Sequence, residues 1–109
     1  MTDPIPFSDF QKLHMRVGRI IHVEDIPRTK NLYKIRVDIK DKTIQIVSSL
    51  KDYYTREALM NKLIVVLVNL EPATFCGEIS EGMLLCAETE DTCILLTPET
   101  PIEVGARIT

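Results

Sequence analysis

Tyr33-Lys34-Ile35-Arg36-Val37-Asp38-Ile39, then Lys40-Asp41-Lys42, then Thr43-Ile44-Gln45-Ile46-Val47: this stretch decides the fold. Tyr33, Ile35, Val37 and Ile39 recur at every second position, with Lys34, Arg36 and Asp38 between them. A strand places alternate side chains on opposite faces, so the stretch predicts a β-strand with one apolar and one charged face. Lys40-Asp41-Lys42 supplies a polar turn, and Ile44 and Ile46 return facing the same apolar side. The result is a hairpin that carries its cations on the outside of a sheet.

Upstream, Met15, Val17, Arg19, Ile21 and Val23 predict a long first strand, in which Gly18 is expected to mark a bulge or sharp bend. A short helix is expected over residues 8–13, with Ser8 as its cap, Phe10 and Leu13 as an apolar pair, and Phe7 as a staple. Downstream, Thr55 caps a single helical turn through Leu59, and Leu63 to Val68 reads as a strand buried on both faces. Residues 69–79, with Pro72 and Gly77, read as an irregular loop. Two further strands follow, Met83 to Ala87 and Cys93 to Thr97, joined by the acidic turn Glu88-Thr89-Glu90-Asp91. Five or six strands with one inserted helix and no repeated αβ unit predict an all-β protein, a five-stranded Greek-key barrel of the OB-fold type. The expected core covers about residues 14–97, with short helices and terminal extensions, and residues 1–109 form a single domain. In such barrels the ligand face is that of the second and third strands, where the Lys34/Arg36 hairpin falls.

Composition bounds the function. The chain has 109 residues, 45% hydrophobic and 27% charged, enough for one modest core. A mean hydropathy of +0.05 argues against disorder. The longest apolar run, Leu63 to Val68, is too short for a membrane helix, which needs about 20 residues. Met1-Thr2-Asp3-Pro4 shows no secretion signal. The formal net charge of -3 is unevenly spread: residues 1–54 carry ten basic and seven acidic side chains, and residues 55–109 three and nine. Residues 28–42 hold six cations against Asp38 and Asp41. Such a local excess suits a phosphate backbone, or else is only a solvated strand face.

Cys76, Cys86 and Cys93 form neither an even set nor a C-x-x-C pair, so reduced thiols in a cytoplasmic protein are expected, without disulfide or zinc. His14 and His22 have no partner cluster. The chain lacks phosphate-binding glycine loops, a nucleophile elbow and the zinc-protease motif, and no carboxylate pair is placed for acid–base work. A binding module is expected, with no catalysis and no cofactor.

Two blocks carry a family resemblance. The first is Asp9-Phe10-Gln11-Lys12-Leu13-His14-Met15-Arg16-Val17-Gly18-Arg19-Ile20, followed by Leu32-Tyr33-Lys34-Ile35-Arg36-Val37-Asp38. The second is Asn69-Leu70-Glu71-Pro72, then Gly77-Glu78-Ile79-Ser80-Glu81-Gly82-Met83-Leu84-Leu85. They resemble the tRNA-binding (EMAP-II-like) domain at the C-terminus of many methionyl-tRNA synthetases, over nearly the whole chain. The resemblance implies an OB-fold and, with nothing left over, a free-standing homodimer that recognises the L-shaped body of tRNA as a cofactor or carrier. It maps basic contacts onto Lys30, Lys34 and Arg36, and further contacts onto Asn69, Ser80 and Met83. For Arg16 and Gly18 a structural role is expected. On their residue types alone, Asn69 caps a loop, Ser80 a turn, and Met83 belongs to the core. The sequence departs from the family at neutral Thr74, Phe75 and Cys76, where many relatives have a cation. It also departs at Lys40 and Ser49, where glycine is common, and at Asn31, where lysine is usual and Lys30 compensates. Two other roles fit the same resemblance. One is a dimerisation subunit of methionyl-tRNA synthetase; the other is a secretion-related chaperone, which an exposed apolar groove would favour.

Overall fold

The computed structural model describes residues 2–109. Five strands form one antiparallel sheet: β1 (Met15–Asp25), β2 (Tyr33–Asp38), β3 (Thr43–Ser48), β4 (Leu63–Leu67) and β7 (Met83–Leu84). Their order is β3-β2-β1-β4-β7, so long β1 is the centre on which both halves are hung. Two ribbons complete the β structure, β5 (Ala73–Phe75) with β6 (Glu78–Ser80), and β8 (Cys86–Glu88) with β9 (Cys93–Leu95). Helices are short, α1 (Phe7–Gln11) and α2 (Arg56–Leu59).

The hairpin β2–β3 follows its sequence pattern. Tyr33, Ile35, Val37, Ile44 and Ile46 are buried, and they pack with Ile20, Leu50, Leu59, Ile64 and Val66 into one core. The opposite face pairs Lys34 with Glu24 and Val47, Arg36 with His22 and Gln45, and Asp38 with Arg19 and Thr43. At the turn, Lys40 stands at φ 87°, in the left-handed region that glycine occupies without penalty.

The sheet closes into a barrel because the β6–β7 segment is stitched to the free edge of β3. Glu81 N–H donates to the Gln45 carbonyl (2.7 Å), and Gln45 N–H donates to Glu81 Oε1 (2.8 Å). Val47 N–H donates to Ser80 Oγ (3.0 Å), whose hydroxyl donates to the Gly82 carbonyl (3.2 Å). An edge strand's free N–H groups are thereby satisfied without a full ladder. The architecture is the expected five-stranded, nearly closed OB-like barrel.

Several local expectations change. The bulge in β1 lies between Ile20 and His22, turning Ile21 outward, and not at Gly18. Gly18 answers a packing demand: a Cβ there would meet Val37 Cγ1 at 2.5 Å and the Asp38 carbonyl at 3.3 Å. Helix α1 starts one residue early, with Pro6 at the cap position and no side-chain cap bond, so Ser8 lies inside the first turn. Phe7 staples nothing beneath it; it is 70% exposed and stacks on Phe10 with centroids 6.1 Å apart. Thr55 caps α2 as expected, accepting from Ala58 N–H at 3.1 Å. Residues 69–79 are not irregular throughout: Cys76 and Gly77, at φ 52° and 82°, form the two-residue turn of the β5–β6 hairpin. Both central residues have positive φ, the mirror-image turn whose twist suits a hairpin.

Candidate nucleic-acid interface

Alternation in β2 sends Lys34 and Arg36 to the outer face, and pairing sets them beside β1 and β3. Arg36 is exposed and, among the described residues, makes no ion pair. Its strand neighbours are His22 and the half-buried Gln45, the latter held by donating from Nε2 to the Ile79 carbonyl at 2.9 Å. Lys34 is different. Its ammonium sits 2.8 Å from Glu24 Oε1 and 3.3 Å from Glu78 Oε1, linking β1 to the β5–β6 hairpin. The hydrogen bond to Glu24 and then that to Glu78 push the Lys34 pKa up, and the Lys34 bond draws the Glu24 carboxyl below its ordinary value. Lys34 is therefore fully neutralised in place by two carboxylates, whereas Arg36 is free.

Lys30 is exposed in the loop before β2, at the same end of the strand as Lys34. Lys42, also exposed, lies at the other end; neither is ion-paired among the described residues. Lys51 is paired with Asp25 at 3.0 Å. The open cations on and beside this hairpin thus include Arg28, Lys30, Arg36 and Lys42, of which Arg28 and Lys42 were not assigned a contact from sequence. His22 was missed as well, although its register opposite Arg36 follows only from the bulge.

The polar residues of the second block serve the fold. Asn69 Nδ2 donates to the Lys12 carbonyl (2.7 Å), and its Oδ1 accepts from His14 N–H (2.8 Å), pinning the α1–β1 turn to the end of β4. Ser80 is 5% exposed, and its hydroxyl is committed to the barrel seam. Both polar side chains thus already have partners. Met83 is 51% exposed, so it is not core. It borders a pocket of about 430 Å³ between β3, the β5–β6 hairpin and the β8–β9 ribbon. Phe75, 47% exposed, and Leu70 share its rim with the acids Glu71 and Glu88.

The structure thus brings Lys34 next to the β6 segment that carries Ser80, and leaves Asn69 at a different junction, where α1 meets β1. All three cysteines are free thiols. Burial, and then the neighbouring Cys93 thiol, push the Cys86 pKa up to about 12, so Cys86 is held protonated and unreactive. Among the described residues no three His, Cys, Asp or Glu side chains converge on a candidate metal position, and no helix is long and apolar enough to cross a membrane.

Residues 15–107 match the family model described as "Putative tRNA binding domain". A methionine–tRNA ligase of Archaeoglobus fulgidus is 46% identical over 106 residues, 97% of this chain and 16% of the ligase. The chain therefore spans about a sixth of the length of that curated relative. A solved structure described as a MetRS related protein from Pyrococcus horikoshii superposes with a TM-score of 0.93 at 37% identity, covering 99% of this chain and 100% of that one. A CsaA chaperone protein from Picrophilus torridus superposes at 0.89 with 32% identity, covering 97% and 100%. An exposed basic hairpin on an OB-like barrel, matched by this family over most of its length, makes the chain a member of the tRNA-binding domain family.

Proposed function

We propose that this chain binds the folded, L-shaped body of tRNA on the outer face of β2–β3, as a homodimer acting as a tRNA cofactor or carrier. The observation that carries the reading is Arg36, an unpaired guanidinium in the middle of the strand that the family resemblance assigns to RNA contact. Lys30 and Lys34 extend the positive face toward one end of β2, with Lys34 moving from its carboxylates to a phosphate. Guanidinium and ammonium groups there neutralise phosphates and release counterions, so affinity falls steeply with salt. Met83 offers an apolar surface to an unstacked base. Asn69 and Ser80 contribute by holding the segment in place, and their side chains reach RNA only by exchanging an internal partner. Recognition of shape follows from a face made of phosphate contacts, which carry no base sequence.

Self-association is assigned to the groove between α1 and the C-terminal segment, where Phe7, Phe10, Leu13 and Ile108 line a cavity of about 420 Å³. A synthetase partner is compatible with the ligase relatives, and the cytoplasm is the compartment in which the thiols stay reduced. The test is a filter-binding titration of intact tRNA against the same tRNA unfolded, at two salt concentrations. Preference for the folded form with strong salt dependence supports the reading; equal binding of both forms removes shape recognition, and no binding at low salt removes the function.

One observation favours a second reading. The pocket rimmed by Leu70, Phe75 and Met83 is mainly apolar, and relatives of the CsaA type are described as chaperones. An apolar peptide that binds this pocket and is displaced by Phe75→Ser, with tRNA unbound, would favour it.

A further inference from the structure

Gln45 in β3 stands directly opposite Arg36 in β2. The backbone of Gln45 is turned the other way: its N–H donates to Glu81 Oε1 (2.8 Å) and its carbonyl accepts from Glu81 N–H (2.7 Å). Arg36 and Gln45 are therefore a non-hydrogen-bonded pair, the register in which opposite side chains come closest, with Cβ atoms about 5 Å apart. Arg36 is exposed and Gln45 half-buried, both on the outer face of the hairpin.

The Gln45 amide is held by one end. Its Nε2 donates to the Ile79 carbonyl at 2.9 Å. A carbonyl only accepts, so the NH2 end must be the one turned to β6, which fixes where Oε1 stands. Among the described residues Oε1 accepts no hydrogen bond, and no buried side-chain nitrogen or oxygen lacks a partner, so Oε1 reaches solvent. The fold thus presents a neutral acceptor of set orientation beside the free Arg36 guanidinium. Phosphodiester oxygens only accept and gain nothing from it. A ribose can use it, because the 2′-hydroxyl is a donor that accompanies the phosphates of RNA and is missing from DNA.

We infer that Gln45 distinguishes RNA from DNA on this face, its Oε1 accepting from the ribose 2′-hydroxyl next to the phosphate held by Arg36. The inference rests on the reading of β2–β3 as the RNA face and adds to it a contact with sugar. Such a contact carries no base sequence, in keeping with recognition of shape.

The test is interference mapping with a transcribed tRNA in which 2′-deoxynucleotides are scattered singly. Bound and unbound pools are separated, and the positions depleted from the bound pool are read by cleavage. Wild type should exclude 2′-deoxy substitution at a discrete position. That exclusion should vanish in Gln45→Ala and in Gln45→Lys, whose ammonium offers a donor to the Ile79 carbonyl but no acceptor to RNA. The affinity of Gln45→Ala for intact tRNA should fall about 2- to 10-fold, the worth of one hydrogen bond, with the salt slope unchanged because no phosphate contact is lost. A Gln45 that only pins β6 would lower affinity and leave the interference pattern of wild type; that result overturns the inference. So does a pattern in which both variants lose sensitivity to removal of a base amino group and keep the 2′-deoxy exclusion, since Oε1 would then read a base. Binding lost in Arg36→Glu, with the pattern unchanged in both Gln45 variants, removes the sugar contact alone. A wild type that binds no tRNA at low salt removes the β2–β3 reading and this inference with it.

Discussion

Lys40 shows how a single departure from a turn pattern is absorbed. Its φ of 87° is costly for a side chain with a Cβ, and two local contacts hold it: its N–H donates to Asp38 Oδ1 at 2.8 Å and its ammonium pairs with Glu103 at 2.8 Å. The exposed pair contributes little, so relief of the backbone should win. Lys40→Gly is expected to stabilise the chain by about 1 kcal/mol in urea unfolding. Destabilisation would mean that the Glu103 contact outweighs the strain. At the barrel seam the expected sign is opposite. Ser80→Ala leaves the Val47 N–H without its acceptor and should cost about 1–3 kcal/mol. An unchanged midpoint would show that the seam does not need this hydroxyl. Neither role was readable from residue type: Ser80 looked like a contact or a turn residue because nothing local in Ser80-Glu81-Gly82 reveals that β3 lies beside it.

Among the elements, those whose pattern is local were legible and those set by long-range closure were not. The β2–β3 hairpin follows its alternation, and α2 follows the Thr55 cap, since each depends on neighbours a few residues away. The β5–β6 hairpin was missed because its turn, Cys76-Gly77, has only one glycine where two positive φ values are needed. The bulge was misplaced because Gly18 is small for packing against Val37, and a bare sequence does not separate that reason from backbone bending. Of the candidate face, the outward placement of Lys34 and Arg36 was legible from alternation; the latch that Glu24 and Glu78 form on Lys34 was not, as it joins three separate strands. This latch makes a prediction of its own. Glu78→Gln should remove one of the two carboxylates on Lys34, leave it paired with Glu24, and tighten tRNA binding by about 2- to 5-fold, the worth of an exposed ion pair; weaker binding would show that the hairpin must stay tethered. Its pH window follows from the shifts. Glu24 is held below its ordinary pKa, so the pair stabilises above the ordinary carboxylate range and loses that support as pH falls through the lowered value. Lys34 is raised, so its contribution is full below the ordinary lysine range and fades as pH rises through the raised value. The latch is closed at neutral pH. An NMR acid titration should show Glu24 protonating below a free glutamate, and Lys34→Gln should return it toward the ordinary value.

Taken whole, the molecule places its cationic hairpin and its exposed apolar helix on different elements, the first proposed to meet nucleic acid and the second a second copy. Leu13→Asp, which puts a charge into the α1 groove, should turn a dimer into a monomer in sedimentation while the barrel's melting curve stays close to wild type. A dimer that persists would move the contact surface elsewhere. The binding face is best tested through Arg36 alone, because Lys34→Glu would set a third carboxylate between Glu24 and Glu78 and confuse folding with binding. The most direct measurement is the affinity of Arg36→Glu for intact tRNA across a salt series, with the melting curve recorded on the same sample. The account predicts an unchanged melting curve, an affinity lowered by about tenfold or more at low salt, and a salt slope reduced by at least about 1. Wild-type affinity and slope in a folded Arg36→Glu chain would contradict it.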